Sequence, residues 1–327
     1  MKDIALLTIV LTTYNHPEYI EYYLSKCDYL DELNIILEIH DSSTNDETER
    51  TVNNYQQKYK NLLYYHYDDI NIDLKTFLCL KRCQTKYVFL CGDGVILNAN
   101  RVYGKIMSYM EQDYDIIEFY DDINKKHIQY YHNLEDKYNS SEIVYHNLKN
   151  HMLDNYWHMP YYGGTIVKSG IFKRIKQDDI QLLIGTGFIY PYMICAYTNI
   201  DANSVVLGGD YLIPNIKKKA AIWLNEKVAI AIWAKQFPEV INMLPDEFAE
   251  IRKKLIINSE KRLQFITIKG LCYLRVNNNY DIKIYKEYRK ELVAYSPLNK
   301  AGLIAVAIFP KWILKLVRAI KNCGKKV

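Results

Sequence analysis

Two aspartates, Asp41 and Asp93, each follow a short apolar run, within His40-Asp41-Ser42-Ser43 and Cys91-Gly92-Asp93-Gly94. A third polar cluster, Thr12-Thr13-Tyr14-Asn15, closes the first apolar run of the chain. Carboxylates and hydroxyls placed in this way can hold a polar or ionic ligand. A single aspartate after a strand is often only a helix cap. Three clusters in order, at three strand ends of one sheet, carry a stronger signal.

The elements that must position them alternate. Ile4 to Leu11 is a continuous apolar run, as expected of a strand covered on both faces. Pro17 suits the first turn of a helix extending to about Leu30. Asn34 to Ile39 predicts a second strand, and Asn45-Asp46-Glu47-Thr48 the acidic start of the next helix. Leu62 to Tyr67 is a third strand. A helix follows over 73–84, with Leu74, Phe77, Leu78 and Lys81 at helical spacing. Tyr87 to Leu90, a helix from Asn100 to Met110 and a strand from Asp115 to Tyr120 complete the series. This rhythm predicts an α/β domain with a mainly parallel sheet and helices on both faces. In such sheets ligands sit beyond the carboxyl ends of the strands, where the three clusters fall.

Bulk composition excludes several classes. A net charge of +4 is too small and too dispersed for a nucleic-acid partner. The first strand is not followed by GxGxxG, and no Walker A sequence occurs, which disfavours a dinucleotide-dependent oxidoreductase. The seven cysteines form no CxxC pair, so structural zinc is not expected; free thiols in a reducing compartment fit. The N-terminal apolar stretch is too short for a signal peptide, and no run of about 20 apolar residues exists to span a membrane. A cytoplasmic protein is therefore expected.

The stretches 9–20, 38–48 and 86–97 together resemble the opening strand and loop, the second strand with its acidic turn, and the DxD region of family 2 glycosyltransferases of the GT-A fold. The resemblance covers roughly the first 120 residues and, more loosely, Tyr161 to Phe172. It implies inverting transfer of a sugar from a UDP-sugar to a glycan acceptor. Thr12 and Tyr14 would border the uracil, and Asp41 would accept from its imide N–H. Asp93 would bind Mn²⁺ or Mg²⁺ bridging the diphosphate, since these cations prefer oxygen ligands shared with phosphates. Lys75 and Arg101 could approach the phosphates, although solvated helix positions are the simpler reading. The chain departs from the pattern at Cys91, which stands where the first Asp of DxD is usual and is a poor partner for Mg²⁺.

The family's base is a carboxylate that takes the acceptor hydroxyl proton, often from a Glu-Asp pair opening a helix. Here that helix, 188–197, is preceded by Gly185-Thr186-Gly187. Asp178 and Asp179 lie just upstream and are the candidates, beside the alternative that they form an exposed acidic cap; Asp210 and His158 are fallbacks. Trp157, Tyr161 and Tyr162 could stack on acceptor sugars, or could be core. Cys91 and the absent base also motivate a rival from another class: a non-catalytic partner that keeps the fold and stabilises an active transferase.

The expected organisation is a GT-A domain over 1–215, with a donor half to about 120 and an acceptor half over 121–215, then a helical region over 216–327. Trp223, Trp233 and Leu244-Pro245 read as packing of that region. Near the C-terminus Lys311, Lys315 and Arg318 recur at helical spacing opposite Trp312, Ile313, Leu316, Val317 and Ile320. This is the pattern of a helix in a membrane interface, with an amphipathic helix packed on the body as the alternative. The family context suggests capsule, exopolysaccharide or lipopolysaccharide synthesis on a lipid-linked oligosaccharide, with the protein peripheral on the inner face of the cytoplasmic membrane. Self-association is left open.

Overall fold

The computed structural model describes residues 5–120, 142–216 and 229–316. The chain divides into two compact units, Met1–Lys219 and Ala220–Val327.

In the first unit, β1 (Leu7–Thr13), α1 (Pro17–Leu24), β2 (Ile36–Asp41), α2 (Glu47–Gln56), β3 (Leu62–His66), α3 (Ile72–Arg82) and β4 (Tyr87–Gly92) alternate. A short β5 (Val95–Leu97), α4 (Ala99–Glu111) and β6 (Ile116–Tyr120) follow. Next come β7 (Glu142–Tyr145), α5 (Leu148–Asn155), β8 (Thr165–Lys168), α6 (Gly170–Arg174), a 3-10 turn (Asp178–Leu183), α7 (Ile189–Tyr197), β9 (Ser204–Gly208) and β10 (Leu212–Pro214).

The eight-stranded sheet has the order β3-β2-β1-β4-β8-β6-β9-β7, and β10 pairs with β5 in a separate ribbon. β1, β2, β3 and β4 run parallel, as do β6 and β9; β8 and β7 are antiparallel to their neighbours. All seven residues of β1 are buried, which accounts for its unbroken apolar run. Leu7, Ile9, Leu11, Leu37, Ile39, Tyr87 and Phe89 face a core closed by Ile20, Tyr23 and Leu24 of α1, Val52 of α2 and Ile106 and Met110 of α4. α3 packs on β1 and on α6 and α7.

The structure shifts several expected boundaries. β1 continues through Thr12 and Thr13, because its ladder with β2 runs on to the pair Thr13 and Asp41. α1 stops at Leu24 instead of Leu30: the Ser25 hydroxyl donates to the Tyr22 carbonyl at 2.7 Å, a local bond that competes with helix propagation. Of the residues at helical spacing on α3, Phe77 is buried, Leu74 and Leu78 are half-buried and Lys81 is exposed. The helix also buries Asp73, Lys75, Thr76, Cys79 and Leu80, because its polar first turn has partners on neighbouring elements.

The second unit is helical over its described part. A π-helical turn (Ala231–Gln236) leads to α8 (Phe237–Asn242), α9 (Arg252–Leu263), α10 (Ile268–Val276), α11 (Ile282–Glu287), α12 (Arg289–Tyr295) and α13 (Lys300–Ile308). Its core includes Ile266, Leu271, Leu274, Tyr280, Leu292, Leu303 and Val306. Trp233 stacks on Phe265 at 4.5 Å between ring centroids, the packing role expected of it. Trp223, Val317, Arg318 and Ile320 lie outside the described residues. Among the described residues no helix is long and apolar enough to cross a membrane.

Candidate functional site

The parallel register brings the three polar strand ends together. Thr13 of β1 lies opposite Asp41 of β2, and Thr12 opposite Gly92 of β4. Beyond β1 the chain turns at Asn15, whose φ of +53° is the left-handed conformation that asparagine tolerates. The Asn15 amide donates to the Ser43 hydroxyl oxygen at 2.7 Å, and the Thr44 amide donates to Asn15 Oδ1 at 2.9 Å. The first and second loops are thereby stitched to each other.

Asp93 Oδ2 accepts two bonds, from the Thr13 hydroxyl and from His16 Nδ1, both at 2.9 Å. Its backbone carbonyl accepts from Asn215 Nδ2 at 2.8 Å. Asp41 is fully buried beneath its own loop. Its Oδ1 accepts from the Ser43 amide and hydroxyl at 2.8 and 2.5 Å, and its Oδ2 from the Tyr64 hydroxyl at 2.9 Å. These donors offset the cost of burying a carboxylate. Thr12 is buried in the strand, whereas Tyr14 is 54% exposed at the rim.

Lys75, for which a solvated helix position was the simpler expectation, is not in solvent. Its side chain is buried, and Nζ donates to the Thr13 carbonyl at 3.0 Å and to the Ser42 hydroxyl oxygen at 2.7 Å. Burial pulls its pKa down, and the negative groups around it, Asp41 and Asp93 among them, oppose that shift. Arg101, by contrast, is exposed and pairs with Asp210 at 3.2 Å.

Cys91 contributes nothing to a cation site. Its thiol points into the core, 3.5 Å from the Tyr23 hydroxyl, and burial pushes its pKa up to about 12. With Asp41 fully buried, Asp93 is left as the part-exposed carboxylate at this edge. Among the described residues no three His, Cys, Asp or Glu side chains converge as a self-sufficient metal cage. The donor set fits a hard cation that draws most of its shell from phosphate oxygens and water.

The acceptor-side candidates are dispersed. Asp178 and Asp179 are exposed on the 3-10 turn; Asp179 Oδ2 accepts from the Lys176 amide at 2.9 Å and the Tyr197 hydroxyl at 3.0 Å. Those bonds hold the Asp179 carboxyl below its ordinary range. His158 is buried, with Nδ1 2.7 Å from Glu118, which also lies 3.0 Å from His151. Burial alone would raise Glu118, but the two imidazoles hold it below its ordinary range. Trp157 is buried and donates to the Asp154 carbonyl. The Tyr162 hydroxyl bonds Thr76 of α3 at 2.9 Å.

The loop before α7, which lacks a carboxylate of its own, is gripped by one from α3. Asp73 Oδ2 accepts from the Gly185 and Gly187 amides at 2.7 and 3.0 Å. Both glycines have positive φ, +90° and +74°, which turns their amides toward one point. Burial raises the Asp73 pKa against the lowering effect of these amides. One helix, α3, thus ties the ends of β1 and β2 through Lys75 and the loop before α7 through Asp73.

No family model matches the sequence, and no curated protein matches it. Solved structures do. The crystal structure of Staphylococcus aureus TarS residues 1–349 is 12% identical, covering 89% of each chain with a TM-score of 0.55. The same protein in complex with UDP is 14% identical, again over 89% of each chain, with a TM-score of 0.53. At such identity the likeness speaks to architecture, and it agrees with the strand order and the convergent strand ends. The chain therefore has the GT-A glycosyltransferase fold.

Proposed function

We propose that this chain is an inverting glycosyltransferase that moves a sugar from a UDP-sugar to a glycan acceptor. The observation that carries the reading is the convergence of Thr13, Asp41, Lys75 and Asp93 at the carboxyl edge of β1, β2 and β4. In this reading Thr12, Tyr14 and Asp41 receive the uracil, and Asp93 faces the diphosphate. The UDP complex of TarS supports uridine as the base.

In the reaction the acceptor hydroxyl oxygen bonds to the anomeric carbon, the bond from that carbon to the phosphate oxygen breaks, and its electron pair leaves with UDP. Asp93 would hold a divalent cation, Mn²⁺ or Mg²⁺, which would supply Lewis-acid stabilisation of that leaving charge. Lys75 adds fixed positive charge beneath the two loops and holds them in register. The hydroxyl proton goes to a carboxylate. Asp178 and Asp179 are the sequence candidates, with the Asp179 Oδ2 committed to Lys176 and Tyr197.

The acceptor is proposed to be lipid-linked, within bacterial capsule, exopolysaccharide or lipopolysaccharide synthesis, and the protein peripheral on the inner face of the cytoplasmic membrane. What supports this is the end of the chain. From 300 to 327 it carries Lys300, Lys311, Lys315, Arg318, Lys321, Lys325 and Lys326 and no carboxylate. Ile308, Phe309, Trp312 and Leu316 are exposed there. Exposed apolar side chains interleaved with cations suit an anionic lipid surface.

A second reading, a non-catalytic partner of an active transferase, is favoured by Cys91 turned into the core and by the glycine loop without a carboxylate. Titrating UDP, GDP, CDP and ADP with Mn²⁺ separates the first questions. The proposal expects UDP to bind tightest. Equal or absent binding of all four would refute the donor site, and UDP binding without turnover on any glycan would favour the partner.

A further inference from the structure

Of the two carboxylates at the strand edge, Asp41 is fully buried and Asp93 is part-exposed, so the orientation of Asp93 decides what a cation meets. Both of its observed side-chain bonds fall on Oδ2, from Thr13 and His16 at 2.9 Å. A carboxylate only accepts, so Nδ1 of His16 carries the proton in this pair. The Asp93 side chain is 13% exposed, and Oδ1 has no hydrogen-bond partner among the described residues. Two donors on one oxygen fix the plane of the carboxylate and leave the other oxygen as its outward face.

His16 is itself held. Asn15 turns the chain at positive φ, and Pro17 then starts α1, so His16 is the residue at the helix entrance and its carbonyl accepts from the Tyr19 and Ile20 amides. Its ring stacks on Tyr19 at 4.4 Å between centroids and 22° between planes. Asn215 Nδ2 ties the two supports together, donating to the Tyr19 carbonyl at 2.9 Å and to the Asp93 carbonyl at 2.8 Å. The imidazole therefore has one face on a fixed ring and its Nδ1 on a fixed carboxylate. The Cys91 thiol, by contrast, is turned away into the core.

We infer that His16 is the positioning residue of the cation site: it holds Asp93 Oδ2 so that Oδ1 alone is presented to a divalent cation on the nucleotide diphosphate. The inference rests on the donor-site reading above. Hydrogen-bond partners of ligating carboxylates orient the ligand, and losing one typically costs about 10- to 100-fold in metal affinity.

The test is a Mn²⁺ titration of the UDP-saturated protein followed by electron paramagnetic resonance, for wild type, His16→Ala and His16→Asn, with thermal melting to check each fold. His16→Ala should weaken Mn²⁺ binding by roughly 10- to 100-fold. His16→Asn, whose side-chain amide donates from nearly the place of Nδ1, should recover most of it. The wild-type Mn²⁺ signal should show no coupling to a directly bonded nitrogen. Wild-type Mn²⁺ affinity in a folded His16→Ala overturns the inference, as does a nitrogen coupling that His16→Ala removes. If wild type binds UDP but never Mn²⁺, the cation site itself is wrong; if it binds neither, the donor-site reading fails first.

Discussion

The Thr13 hydroxyl and the Asp93 carboxylate, 80 residues apart in sequence, meet in a 2.9 Å hydrogen bond. That bond joins the end of β1 to the turn after β4, and Lys75 clasps the same Thr13 from below through its carbonyl. The candidate site is thus one connected set of side chains, and several consequences can be measured.

Lys75→Met should weaken UDP binding by roughly 10-fold, because a buried cation beside the phosphate-facing edge is poorly screened. Arg101→Met should leave UDP affinity within about 2-fold, since its exposed pair with Asp210 contributes little. Calorimetry on both variants checks the contrast.

Asp73→Ala leaves the Gly185 and Gly187 amides without their acceptor. Each buried group left unpaired costs about 1–3 kcal/mol. Hydrogen exchange at Gly185 and Gly187 should accelerate by at least about 10-fold, with the strands β1 and β4 unaffected. Unchanged exchange at the loop would show that Asp73 is not what holds it.

The second unit carries its own pH signature. Burial pushes Glu260 up to about 8, against lowering bonds from the Ile266 and Thr267 amides. This folded value lies above the value of about 4.3 for an unfolded glutamate. The buried, protonated form therefore stabilises fully below about pH 4.3, and that stabilisation is lost as pH rises through about 8. Glu260→Gln should flatten the fall in melting temperature of this unit between about pH 5 and 8.

Removing 301–327 would be a poor test of membrane contact, because Leu303, Val306 and Ala307 belong to the helical core and the Leu303 carbonyl accepts the Tyr280 hydroxyl at 3.0 Å. Removing 310–327 spares that core. The shortened protein should lose sedimentation with vesicles rich in anionic phosphatidylglycerol and melt within a few degrees of the full chain. Retained sedimentation would contradict the lipid assignment.

The parallel half of the fold was legible because β1, β2 and β4 are buried on both faces and read as apolar runs. β5, β7, β8 and β10 were not, since strands of three or four residues give too short a period to register. Asp41 and Asp93 could be picked out because they follow strands. Lys75, Asp73 and His16 could not, because their roles depend on partners far along the chain, Thr13, Gly185 and Asp93, that only the fold brings near. For α3 the apolar spacing left out the buried Asp73, Lys75 and Thr76, since buried polar residues with partners look in sequence like solvent-facing ones.

The central claim is a cation-dependent UDP site at Asp93. Calorimetric titration of UDP into wild type and Asp93→Ala, each with and without Mn²⁺, tests it most directly. The account predicts a Kd of about 1 μM, roughly 8 kcal/mol, for wild type with Mn²⁺. Removing either Asp93 or the metal should weaken binding by at least about 10-fold, and removing both should cost little more than removing one. Tight UDP binding by Asp93→Ala that still responds to Mn²⁺ would contradict it.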